Sequence, residues 1–378
     1  VSIPLSIFDL VPVAEGQSPQ QAVAASVELA RSAERLGYTR LWYGEHHFNP
    51  GVIGYNPALL MALAGSATST LRVGSGAVLA GQRSALAIAE DFALLQATLG
   101  DRVDLGIGRA PVRGKRTQSK DPGSRPPAMA TKEAQQDRTT EEGLLLPAAP
   151  DLSGLGKNPR MQAIAELLIP EGTPLAPYGE FIDQLISFLN HTTEAEGVAL
   201  PSATPELPTP PQVWVLGSSA GESAKVAGER GLRFGANYHV APSNVTDAVD
   251  HYRASFQPSD ELAEPYVIVS AEVLVADSEA EAHRLGAGYD QWVYSIRSGQ
   301  GAIPYPAPDS PAAAPLGAEA ADLVRDRTST RFLGTADQVA EQLDVLQRAT
   351  GADELLISTT THDPAVRLRS FELLADVT

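Results

Sequence analysis

Short β-branched and apolar runs alternate along the chain with longer stretches whose apolar residues recur every three to four positions, and glycine, proline, serine and threonine mark the changeovers. The run from Ile3 to Val11 predicts a first strand. Pro19 to Leu36 places Val23, Val27, Leu29, Ala30 and Ala33 on one helical face, and Gly37 ends it. Strands are predicted next at Tyr38 to Tyr43 and Leu71 to Leu79, around a helix from Pro57 to Ala67 whose proline suits a first-turn position. A helix over Ala85 to Leu99 leads to a strand over Val103 to Ile107. Further strands fall at Val213 to Leu216, Arg233 to Tyr238 and Tyr266 to Val275. The last lies at Asp353 to Ser358, between helices over Ala336 to Ala349 and Pro364 to Asp376. About eight such units with right-handed crossovers predict an α/β fold, a closed (β/α)8 TIM barrel, in preference to an open doubly wound sheet.

Two segments break the rhythm. Pro111 to Tyr178 mixes a basic stretch, Lys115 to Lys120, with scattered prolines, and only Met161 to Leu168 has helical character. Gly299 to Leu316 is rich in proline and alanine and follows a helix predicted around Glu279 to Tyr294. Long irregular excursions in a compact domain are commonly lids or binding loops. The first leaves the C-terminal end of strand four, which is the active face of such a barrel, and the second leaves the neighbourhood of strand seven. Both are expected as lids within a single domain spanning 1–378, at 111–178 and 299–316.

Composition removes several classes of function. The chain has 378 residues, no cysteine and a formal net charge of -18. Phosphate-backbone binding needs clustered basic residues, so nucleic acid and anionic membrane surfaces are poor partners. Without cysteine there is no disulfide, thiolate zinc site, iron–sulfur cluster or thiol nucleophile. No apolar stretch is long enough to span a bilayer, and the opening residues read as a strand, so a cytoplasmic location is expected.

The polar cluster Glu45-His46-His47-Phe48 stands directly after the second predicted strand, where a strand aims side chains and a loop leaves room for a ligand. Histidines at strand ends also serve as ordinary hydrogen-bonded residues, so both readings stand. The strand ends also supply Gly74-Ser75-Gly76-Ala77, Arg109 and Leu216-Gly217-Ser218-Ser219-Ala220-Gly221. The last opens a helix near Glu222 and outlines an anion cradle of free backbone N–H groups and hydroxyls, although serine is equally an N-cap. A dinucleotide fingerprint and a P-loop are both missing. Metal hydrolysis through His46, His47, His239 and His362 is a poorer fit, because adjacent strand histidines point to opposite faces.

The segments LWYGEHHFNPGVIGYNP, LRVGSGAVL, AIAEDFALL and RVDLGIGRAP between Leu41 and Pro111, with VWVLGSSAGESAKVAGERG and FLGTADQVAEQL further on, resemble the luciferase-like flavin-dependent monooxygenases. The likeness covers most of the chain outside the two lids and extends in size to members that tailor aromatic polyketides. It implies a two-component enzyme that uses FMN, delivered in reduced form by a separate flavin reductase, and O2 to oxygenate a small organic substrate. Arg109 would pair with the FMN phosphate, with Ser218, Ser219 and the Gly217 turn helping and Ser223 as an alternative. A non-proline cis peptide joining Gly76 and Ala77 would support the flavin ring. His46 would be the catalytic residue, managing protons around the oxygen adduct. His47, Glu45 and Glu90 would take supporting or dimer-contact positions, since homodimers are usual in the family. Gly108 stands where luciferase has a reactive cysteine and Gly217 where it has a glutamate, so light emission does not follow. On the same fold the resemblance also admits an F420-dependent oxidoreductase, or a flavin-binding protein without catalysis.

Overall fold

In the computed structural model, which describes residues 3–109, 136–170 and 172–377, the alternation resolves into eight principal strands. They are β1 (Leu5–Asp9), β2 (Arg40–Tyr43), β3 (Arg72–Ser75), β4 (Val103–Arg109), β5 (Gln212–Gly217), β6 (Arg233–Asn237), β7 (Val267–Val275) and β8 (Glu354–Ser358). Each pairs in parallel with the next, and β8 pairs with β1 through Ser6 opposite Leu356, so the sheet closes as a (β/α)8 barrel. The helices that return the chain are α1 (Pro19–Leu36), α2 (Pro57–Ser66), α3 (Ala85–Leu99), α4 (Tyr178–Leu189), α5 (Glu222–Glu229), α6 (Val245–Ser255), α7 (Ala336–Thr350) and α8 (Pro364–Ala375).

Local signals explain the boundaries. Ser18 caps α1 by accepting from the Gln21 N–H at 3.3 Å while Gln21 accepts from the Ser18 N–H at 2.8 Å, and Gly37 closes the helix in the left-handed conformation at φ 80°. Thr335 and Gln338 form the same reciprocal cap on α7. The predicted third strand is interrupted: β3 stops at Ser75, the Gly76–Ala77 peptide is cis, and pairing resumes at Val78–Ala80 against the end of β4. Gly106 in β4 allows this close approach, because a Cβ there would sit 2.0 Å from the Ser75 carbonyl oxygen. The helix predicted over Glu279 to Tyr294 is two helices, Glu279–Leu285 and Tyr289–Arg297, divided where Gly288 takes φ 93°.

Period-two alternation sends one set of strand residues outward against the helices and the other into the barrel. Leu41, Tyr43, Val213, Val215, Leu355 and Ile357 belong to the outer core; Phe8, Trp42, Trp214, Leu216, Ile268 and Leu356 fill the interior. Below them, at the N-terminal ends of the strands, charges close the barrel. Arg40 donates to Asp104 and Glu354, both at 2.8 Å, and Arg72 reaches Asp104 at 2.7 Å. Trp42, Tyr266 and Ser6 also donate to these carboxylates. The C-terminal mouth is left to hold a cavity.

Of the first predicted lid, residues 136–170 and 172–178 are described; its basic stretch from Lys115 to Lys120 lies outside the described residues. The described part holds a hairpin, Arg138–Thr139 with Leu145–Leu146, and a helix, Pro159–Leu168. The second excursion is fastened to the loops after β1 and β2. Tyr305 N–H donates to the Val13 carbonyl at 2.8 Å, Glu15 N–H to that of Tyr305 at 2.9 Å, and Gly51 N–H to that of Ala302 at 2.7 Å. A helix that the sequence reading missed, Ala318–Thr328, follows it.

Candidate functional site

At the C-terminal mouth the strand ends enclose a cavity of about 250 Å³. Of the residues singled out from the sequence it brings together Glu45, His46, the Gly76–Ala77 peptide, Arg109, the Gly217-Ser218-Ser219 turn and Ser223, whereas His47, Glu90, His239 and His362 do not line it. It adds Asn237, from the end of β6, which sequence reasoning did not select. Five separate stretches of chain, at the ends of β2 to β6, converge because parallel strands all end at the same rim.

One wall is an anion cradle. The Gly217 turn runs into α5, whose N-cap residue Gly221 provides no side-chain cap, so among the described residues no side chain caps its first-turn N–H groups, which can donate outward. Arg109 stands beside it, about one-third exposed, and its Nη1 donates to Glu222 Oε2 at 2.8 Å. Glu222 is the first residue of α5 and was read only as a helix start; its carboxylate occupies the charge that a phosphate would neutralise.

The opposite wall carries His46. Its ring packs where Gly44 has no side chain: a Cβ at Gly44 would lie 2.7 Å from His46 Cε1 and 3.1 Å from Phe8 Cζ. The residue is open to the cavity yet ringed by protein, and among the described residues neither ring nitrogen has a hydrogen-bond partner. Burial first, then the charge of Arg327 and the proximity of His47, hold its imidazole below the usual range, to about 4. Water entering the open cavity moves that value back toward the ordinary one; either way the ring is mainly neutral at pH 7 and able to accept a proton.

The neighbours of His46 have other duties. Glu45 is buried, accepts the Leu79 N–H at 2.7 Å and lies 3.0 Å from His47 Nε2, so it braces the strand that resumes after the cis peptide. Glu90 is exposed on α3. His362 Nε2 lies 3.0 Å from the Glu15 carbonyl oxygen. Among the described residues no three His, Asp or Glu side chains converge as a metal site. His239, weighed in the sequence only as a metal ligand, is buried close to His46, with Nδ1 2.5 Å from Ser270 Oγ and its ring 5.6 Å from that of Phe8. Burial and Arg327 depress it to about 3. No helix among the described residues is long and apolar enough to cross a membrane.

Comparison with known proteins agrees with this architecture. The luciferase-like monooxygenase family model matches residues 3–128 and 165–354. The uncharacterized protein YvbT of Bacillus subtilis is 31% identical over 99% of this chain and 96% of its own length. A luciferase-like monooxygenase of Escherichia coli K12 is 30% identical over 100% of this chain and 97% of its own. Among solved structures, apo-MsnO8 superposes with a TM-score of 0.76 at 29% identity, covering 99% of this chain and 97% of that one. Barrels with FMN in a 3,6-diketocamphane monooxygenase of Pseudomonas putida and with an F420 adduct in a secondary alcohol dehydrogenase share the fold at 18% and 13% identity, with TM-scores of 0.63 and 0.58. A match that spans both halves of the barrel, joined to relatives aligned end to end, makes this chain a member of the luciferase-like monooxygenases, a family of flavin-dependent enzymes.

Proposed function

We propose that the chain is the oxygenase component of a two-component monooxygenase that takes reduced FMN from a separate reductase and oxygenates a small organic substrate, an aromatic polyketide intermediate being one candidate. The observation that carries this reading is the union, in one cavity, of a helix N-terminus without a side-chain cap, Arg109, and a neutral His46 imidazole that has no hydrogen-bond partner among the described residues. The donor set fits a phosphate-bearing flavin: Arg109, Ser218, Ser219 and the α5 amides would hold the phosphate, and the Gly76–Ala77 peptide would lie against the ring system. Bound reduced flavin supplies the electrons for dioxygen activation. His46 would take or return a proton at a ring nitrogen that has no hydrogen-bond partner among the described residues. The described part of the first excursion, 136–170 and 172–178, and the excursion at 299–316 would act as lids that keep water from the cavity; residues 111–135 of the lid expected at 111–178 lie outside the described residues.

A homodimer belongs to the same proposal. Leu59 and Leu63 on α2 and Leu86 and Leu94 on the adjoining α3 are 39–69% exposed, and a second copy would cover this patch. Light scattering reports it.

The direct test is rapid mixing of the protein, loaded anaerobically with reduced FMN, against oxygenated buffer. Return of the oxidised FMN absorbance is expected to be slower than for free FMN. A return as fast as in free solution, together with tight F420 binding and turnover that needs no oxygen, would replace this reading with that of an F420-dependent oxidoreductase.

A further inference from the structure

Four arginines are buried among the described residues: Arg40, Arg297, Arg327 and Arg367. Arg40 is paired with Asp104 and Glu354, Arg297 with Asp326, and Arg367 with Asp9. Arg327 has no such partner. Its Nε donates to the His239 carbonyl at 3.1 Å and its Nη2 to the Tyr289 hydroxyl at 3.2 Å, and no carboxylate among the described residues lies at ion-pair distance. A buried cation that meets only neutral acceptors is costly and points to an anion that arrives from outside.

The surroundings narrow what that anion is. The guanidinium carbon lies 5.8 Å from the ring centres of both Tyr289 and Trp292. Trp292 is 2% exposed, and its indole N–H has no acceptor among the described residues, so the cluster holds a second unmatched donor. Phe8 packs beside His239 and shares with His46 the space over Gly44. Two other charges border the group. The Arg331 guanidinium carbon lies 4.1 Å from the Tyr289 ring centre and adds positive charge; Glu272 is buried in β7 and accepts the Thr360 N–H, and among the described residues neither arginine forms an ion pair with it. The balance is positive, and the packed neighbours are aromatic.

We propose that Arg327 recognises a substrate carrying an anionic oxygen, a carboxylate or a phenolate, on an aromatic body, and draws it beside His46 and His239 at the cavity. The word substrate rests on the monooxygenase reading; the anion site itself does not. The Ala318–Thr328 helix that delivers Arg327 follows the excursion at 299–316, and the Arg327 bond to the His239 carbonyl sets the charge two residues beyond Asn237, which lines the cavity.

The test uses the full chain without flavin, in an Arg109→Ala background so that the phosphate cradle cannot supply the charge. Benzoate and its neutral isostere benzamide are titrated by tryptophan fluorescence. A preference for benzoate of about tenfold or more is expected, as for one charge-assisted hydrogen bond, and Arg327→Met is expected to abolish it. Equal binding of the two probes, no benzoate binding, or a preference that survives Arg327→Met overturns the proposal. Should that variant fail to fold, 4-nitrophenol added about one pH unit below its solution pKa decides the matter without it. Bound phenolate absorbance supports the site, and a spectrum of bound neutral phenol, or no binding, refutes it. FMN binding, followed separately in the wild type by flavin fluorescence, distinguishes the two failures. Loss of benzoate preference with intact FMN binding sinks only the Arg327 assignment, whereas absent FMN binding with intact preference sinks only the flavin reading.

Discussion

Replacing Glu222 by glutamine should tighten FMN binding, which is the opposite of what removal of a charged residue from a binding site usually does. Arg109 Nη1 and Glu222 Oε2 are 2.8 Å apart, with side chains 34% and 36% exposed. Charges about 4 Å apart attract by about 1 kcal/mol in a water-like dielectric, and measured exposed pairs give about 0.2–1 kcal/mol, so solvent screening sets the upper end near 1 kcal/mol. A phosphate entering the cradle must draw Arg109 away from this pair. Glu222→Gln removes that competition and is expected to lower the Kd by about fivefold, the equivalent of about 1 kcal/mol. Arg109→Ala removes the charge-assisted contact itself and should weaken binding by about 1.5–3 kcal/mol. In the double variant most of the gain should vanish, because no pair remains to be broken. Quenching of FMN fluorescence at low and high salt measures all four corners of this cycle, and the Glu222→Gln gain should shrink as salt rises. Folding stability should move the other way by about 0.3–1 kcal/mol, since Glu222 also complements the α5 dipole. Unchanged or weaker FMN affinity in Glu222→Gln at low salt would refute the reasoning.

Other perturbations reach the scaffold. Arg40→Met leaves the buried Glu354 without its cation and Asp104 with Arg72 alone; it should cost about 3–5 kcal/mol in chemical denaturation, more than any exposed arginine change, and a loss below about 1 kcal/mol would show the network to be dispensable. Gly106→Ala forces a methyl group to 2.0 Å from the Ser75 carbonyl oxygen, so β3 and β4 must part. A loss of about 1–3 kcal/mol, with weakened FMN binding, is expected, and wild-type values in both assays would contradict the packing argument. His239 is held neutral down to about 3, first by burial and then by Arg327. The unfolded chain takes up that proton near the ordinary value of about 6.5, so the stabilisation is full above that pH and is lost as pH falls toward 3. Denaturation curves across this window should be steeper in pH for the wild type than for His239→Gln, and parallel curves would remove His239 from the acid response.

The barrel was readable because its instructions are local. Ser18, Gln21 and Gly37 delimit α1 without reference to anything distant, and the alternation in Val213-Trp214-Val215-Leu216 sorts itself into outer and inner cores. The ion network was not readable, since Arg40 finds Asp104 at a separation of 64 residues and Glu354 at 314, and nothing local marks those charges as buried. In the candidate site, the strand-end histidine, arginine and glycine–serine turn announced themselves by residue type and position. Glu222 did not, because an acidic residue in a first helical turn looks like an ordinary dipole partner. Arg327 was hidden in a charge-rich helix, Ala318–Thr328, whose weak apolar periodicity gave no sign that one arginine faces inward. Asn237 and His239 gain meaning only when β6 closes beside β7.

The segment at 299–316 is attached to the rims of β1 and β2 by main-chain atoms: Val13 to Tyr305, Tyr305 to Glu15, and Ala302 to Gly51. Such bonds depend little on which side chains the segment carries. Its amino acids can therefore drift over generations while the strap keeps its course, and on the lid reading proposed above each change would re-cut the entrance to the cavity without loosening it. That makes this stretch the natural place for randomisation in a directed-evolution library aimed at new substrates, with Tyr305, Ala302 and the glycines left untouched as the fixed stitches.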